Sequence, residues 1–138
     1  MTGGLREFTE QERAILDFLI QDLTPDADVL RAQIAVAKFE SPWFEGSQSF
    51  TFVVAGDAPR VRGTDSVDGT SALVYDNATD HSDNHCVGGM FLWKKDGALD
   101  SLEFWWVTDE MPSELPPLSH LKHQLAWARW GSNPRPAD

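Results

Sequence analysis

The dipeptide Asp96-Gly97 lies between two strand-like runs, VGGMFLWKK over 87–95 and LDSLEFWWV over 99–107. A two-residue type I′ turn needs positive φ at both central positions, which glycine adopts freely and aspartate tolerates better than most residues. The pattern therefore predicts an antiparallel hairpin. Neighbours in a strand point to opposite faces, so Trp105 and Trp106 cannot enter the same core, and Phe91 and Trp93 share a face opposite Met90 and Leu92. Both faces of the hairpin are thus partly apolar, whereas a sheet with one wet face should alternate more cleanly. Two arrangements satisfy this. In one, the C-terminal segment with Trp127 and Trp130 lies over the second face; in the other, part of that face stays exposed within an acidic surround as a partner site.

Upstream, Thr9 and Glu12 have the spacing of a capping box, and Ile15, Leu16, Leu19, Ile20 and Leu23 follow at helical period. Thr24-Pro25 ends this helix and starts a second, with Thr24 as N-cap, Asp26 and Asp28 near the positive end of its dipole, and Leu30, Ile34 and Ala37 as the buried stripe. After Ser41-Pro42 the period becomes alternating: residues 49–55 read as a strand with Phe50, Phe52 and Val54 on one face, and residues 70–75 as a shorter one. Gly88-Gly89 marks a bulge or a close backbone approach at a strand's start. Residues Ser119 to Trp130 read as a short C-terminal helix through Leu121, Leu125 and Ala128. The expected fold is α+β: an N-terminal helical hairpin on a mostly antiparallel sheet of about four strands, ordered as a meander or close to it. Residues 1–130 are expected to form one domain and 131–138 a disordered tail.

The net charge of −11 at pH 7 opposes binding to nucleic-acid phosphates and anionic lipid, and would speed encounter with a basic protein. Acidity could equally serve solubility alone. No apolar run approaches membrane-span length and the opening MTGGLREFTE lacks a signal-peptide pattern, which suggests a cytoplasmic protein. The single cysteine, Cys86, allows neither an internal disulfide nor a cysteine-based metal knuckle, and its neighbour His85 should point away from it on a strand. No G-x-S-x-G or phosphate-cradling glycine motif is present, so the chain reads as a binding protein without a cofactor rather than an enzyme.

Oxygen and nitrogen donors concentrate over residues 76–86, where Asp76, Asp80 and Asp83 accompany His81 and His85. The histidine spacing is compatible with joint metal ligation, but the composition favours a solvated turn and no EF-hand order is present. Such a loop is also suited to enter a partner's cleft. Asp109, Glu110 and Glu114 add a second acidic stretch, and Glu103 stands between Leu102 and Phe104 in an otherwise apolar strand, where burial would raise its pKa or demand a partner.

The run from Lys95 to Leu118 resembles a pattern of small bacterial proteins, frequent in actinobacteria, in which an Asp-Gly turn leads into Leu-x-x-Leu-Glu and an acidic segment ending in Leu-Pro. The matching positions are Asp96, Gly97, Leu99, Leu102, Glu103, Asp109, Pro112, Leu115 and Pro116, and Leu30-Arg31-Ala32-Gln33 also looks similar. Where relatives often carry Cys-Gly-Cys, this chain has Ser41-Pro42-Trp43-Phe44. The resemblance implies the α+β fold and no particular activity. In size, acidity and lack of catalytic motifs the chain is similar in type to immunity proteins of bacterial toxin systems. The leading reading is therefore a protein that binds a basic toxin domain, with Asp76, Asp80, Asp83, Asp109, Glu110 and Glu114 steering and Trp93 or Trp105 anchoring. The alternatives are a metal-binding protein or metal-dependent enzyme using His81 and His85, and a structural subunit whose aromatic face is a homodimer interface.

Overall fold

The computed structural model describes residues 5–21, 26–61 and 71–124. Two helices, α1 (Glu10–Ile20) and α2 (Ala27–Ala35), precede six strands: β1 (Lys38–Pro42), β2 (Phe50–Val53), β3 (Ser71–Tyr75), β4 (Cys86–Lys95), β5 (Ala98–Trp106) and β6 (Leu121–Gln124). The strands form one antiparallel sheet in the order β1-β2-β5-β4-β3-β6. The fold is α+β, with the helices against one face.

The reciprocal capping box starts α1: Thr9 Oγ1 accepts from Glu12 N, and Glu12 Oε1 accepts from Thr9 N at 2.8 Å. Glu12 is buried because Arg6 also holds it through two bonds of 3.0 and 2.9 Å, while the Arg6 guanidinium lies 3.7 Å from the Phe39 ring centre. The hydrogen bond from Arg6 to Glu12 pushes the arginine pKa further up. Thr24, Pro25 and Leu23 lie outside the described residues; the described part of the second helix begins at Ala27.

The core joins Ile15, Leu16, Leu19 and Ile20 of α1 with Leu30 and Ile34 of α2, Phe50 and Phe52 of β2, and Met90, Leu92, Leu102 and Phe104 of the central hairpin. Phe8 sits edge-on to Phe52 at 5.5 Å, and Phe39 lies 5.0 Å from Phe50. The central turn is as the sequence predicts, with φ of 54° at Asp96 and 81° at Gly97.

Three expectations are corrected. The sheet has six strands rather than about four, because Lys38–Pro42 and Leu121–Gln124 add at its edges. It is not a meander: β3-β4-β5 are consecutive, but β2 joins β5 and β6 joins β3. Over 119–124, the described part of the expected C-terminal helix, the chain instead forms a short 3₁₀ turn (Leu118–His120) followed by β6. Period two prevails there because Leu121 is buried and Lys122 exposed, and pairing with Ser71–Val74 satisfies a backbone row that a helix would leave open at the edge of the sheet. His123 shares the core side, stacked 4.0 Å from Phe18 of α1. Residues 125–138, including Trp127, Trp130 and the expected tail, lie outside the described residues.

A bulge reconciles an inconsistency in β5. Leu99 and Leu102 are both buried although three apart, and the pairing shifts from Trp93 with Ser101 to Lys94 with Leu99, leaving Asp100 as the extra residue. The fully buried Gln33 completes the break: its Oε1 accepts from Leu99 N at 2.8 Å and its Nε2 donates to Pro59 O at 2.8 Å and Gly97 O at 3.0 Å. One side chain thereby ties α2 to the hairpin turn.

Candidate functional site

The face of the sheet away from the helices carries the alternate residues of the central strands. Phe91 pairs with Glu103, Trp93 with Ser101 and Gly89 with Trp105, so these side chains project together. Trp93 is 39% exposed; its indole donates to Glu103 Oε1 at 2.9 Å and its ring meets Phe91 at 6.1 Å. Glu103 is partly buried and has the partner that its apolar setting calls for. Trp105 lies across Gly89, where a Cβ would come within 2.4 Å of the indole, and a Cβ on Gly88 would come within 2.2 Å of the Trp105 carbonyl. The two glycines therefore serve close approach, and the adjoining pairing shift makes Val87 a bulge.

The loop between β1 and β2 brings two further aromatics that sequence reasoning did not assign to the site. Trp43 and Phe44 are 45% and 51% exposed. Trp43 N donates to Ser49 O at 3.0 Å, Ser47 N donates to Phe44 O at 2.9 Å, and Gly46 takes φ of 84°. Ser49 anchors the loop to β5, its Oγ accepting from Phe104 N at 2.8 Å. The sequence signal was adjacent aromatics beside a Glu-Gly turn, with no strand period to bury them.

Two adjoining hollows result. One of about 290 Å³ is lined by Trp43, Phe44, Ser49, Glu103, Phe104, Trp105 and Trp106. The other, about 470 Å³, is lined by Trp43, Trp93, Lys94, Lys95, Asp100, Ser101 and Glu103. Trp43 and Glu103 border both.

The pairings place the connections 43–49, 76–85 and 107–120 at one end of the sheet. They carry Glu45, Asp76, Asp80, Asp83, Asp109, Glu110 and Glu114, and neither lysine nor arginine. The predicted acidic residues are thus brought to one end, with Trp105 on the strand that leads into it and Trp93 further along the face, toward the hairpin turn.

The 76–85 loop is internally braced. Asn77 Oδ1 accepts from Thr79 N at 2.9 Å and Asp80 N at 2.6 Å, and Ser82 Oγ donates to Asp80 at 2.7 Å. His85 sits between two carboxylates, Nδ1 3.0 Å from Asp76 and Nε2 3.4 Å from Asp80. Asp76 titrates below the ordinary aspartate value, chiefly through the Asn77 amide and then His85; Asp80 does so chiefly through Ser82. The buried Tyr75 hydroxyl is pushed up, first by desolvation. His81 stacks on Tyr75 at 4.6 Å and its Nε2 lies 3.2 Å from Ser119 O. The two histidines therefore face different partners, and among the described residues no group of three or more histidine, cysteine, aspartate or glutamate side chains is placed to hold a metal ion. Cys86 Sγ turns to Gly88 O at 3.5 Å.

Among the described residues no helix is long and apolar enough to cross a membrane. Comparison with known protein families, with curated proteins and with solved structures found no match.

Proposed function

We propose that this chain is a binding protein of the immunity type, which neutralises a basic toxin domain by occupying it with the open aromatic face and the acidic end of the sheet. The observation that carries this reading is the group Trp43, Phe44 and Trp93, exposed around Glu103 on a face whose one end gathers three connections that hold seven carboxylates and neither lysine nor arginine. A few hot-spot residues, enriched in tryptophan, tyrosine and arginine, dominate the energy of protein interfaces, and a single-sign field raises the encounter rate with a partner of opposite sign.

Capture from a native lysate at low and high salt, using wild type and a Trp43→Ala/Trp93→Ala variant, tests the reading. The expected result is one stoichiometric basic protein whose own activity is blocked, released by salt and lost from the variant. Capture that survives both salt and the double substitution would sink it.

A further inference from the structure

Resting on the binding reading, we infer that the notch bordered by Trp43, Phe44, Trp105 and Glu103 receives one arginine side chain of the partner, its guanidinium stacked on an indole and paired with the Glu103 carboxylate. Glu103 is the one charged residue lining the smaller hollow. Trp93 takes one carboxylate oxygen, and among the described residues Glu103 has no other hydrogen-bond or ion-pair partner. Lys94 and Lys95 border the neighbouring hollow but form no ion pair with it. A carboxylate partly withdrawn from water among aromatic rings favours a cation, and π-faces attract the same charge. Guanidinium fits better than ammonium, because it is planar, weakly hydrated and able to stack while its N–H groups meet a carboxylate. The volume of about 290 Å³ is near the lower end of small-ligand sites (about 300–1,000 Å³), enough for one extended side chain. A second copy of this chain suits the notch less, since two bodies of charge −11 repel.

The test titrates the full chain with N-acetyl-arginine N-methylamide at constant ionic strength, following the indole N–H signals by NMR; the citrulline analogue is the neutral control. Single Trp→Phe variants assign the signals. Saturable shifts of Trp43, Trp93 and Trp105 in the millimolar range are expected with arginine and not with citrulline. Glu103→Gln, which keeps an oxygen for the Trp93 indole, should weaken binding about three- to tenfold. Equal shifts with citrulline, no shift with arginine up to its solubility, or unchanged affinity in folded Glu103→Gln would each overturn the inference. If a salt-sensitive partner still requires Trp43 and Trp93 while arginine fails, the binding reading survives without this notch chemistry. If arginine binds and no partner complex forms, the notch stands and the immunity reading falls.

Discussion

The two faces of the sheet are made from alternate residues of the same strands, yet a polar side chain set among apolar neighbours fares differently on each. On the helix side, Gln33 is fully buried and all three of its hydrogen bonds end on backbone groups within the fold. On the open side, Glu103 spends one oxygen on Trp93 and lies in the wall of two hollows. The first arrangement is closed and serves stability. The second leaves one carboxylate oxygen without a partner among the described residues. Both faces carry apolar side chains, and these two polar groups differ in how fully they are paired.

Substitutions can break this contrast. Phe52→Ala removes a ring packed against Phe8 and Phe50 and should cost about 3–5 kcal/mol in urea unfolding. Gln33→Leu strands Leu99 N–H and Pro59 C=O and should cost roughly 2–3 kcal/mol by the same measurement. Gly89→Ala forces the Trp105 indole off the strand; a loss of about 1–2 kcal/mol and a red-shifted tryptophan emission are expected. Trp93→Ala should change stability by no more than about 1 kcal/mol, since the ring is surface-exposed. If Trp93→Ala matched Phe52→Ala, the open face would be core and the contrast would collapse.

The smallest effect concerns pH. Asp76 and Asp80 have lowered pKa values in the folded chain, so the stabilisation they contribute is full above the ordinary aspartate value of 3.8 and is lost as pH falls through and below it. Asp80→Asn should flatten this acid limb by slightly lowering stability at neutral pH while leaving stability well below the ordinary aspartate value nearly unchanged. An identical acid limb in the variant would show that the loop's carboxylates are uncoupled from folding.

The hairpin, the capping box and the buried set at Ile15, Leu16, Leu19 and Ile20 were legible because each depends on residues close in the chain. Edge strands were not. β1 (KFESP) has only partly buried or exposed residues and ends in proline, so no clean alternation announces it. β6 is fixed by Leu121 and by pairing with Ser71–Val74, a long-range choice that outweighed a plausible helical spacing. At the site, Trp93, Trp105 and the acidic residues were identifiable by type. Trp43 was not, because its neighbourhood with Glu103 arises only when β2 docks beside β5. The two candidate metal ligands share a short loop, but His85 pairs with carboxylates of that loop while His81 stacks on Tyr75 and meets the Ser119 carbonyl.

The strand order also bears on the order in which the sheet is expected to assemble. β3, β4 and β5 pair with their chain neighbours and close short loops, whereas β2 must find β5 across the length of two intervening strands and β6 must return past two to reach β3. Local closures cost less entropy than distant ones, so the three consecutive strands can gather first and the outer strands dock onto an existing template. Side-chain truncations in the β4–β5 hairpin should then slow refolding, while those in β1 or β6 should mainly accelerate unfolding. Because Trp43 reaches this face only when the β1–β2 hairpin docks on β5, that order would make the aromatic notch one of the last parts of the molecule to form.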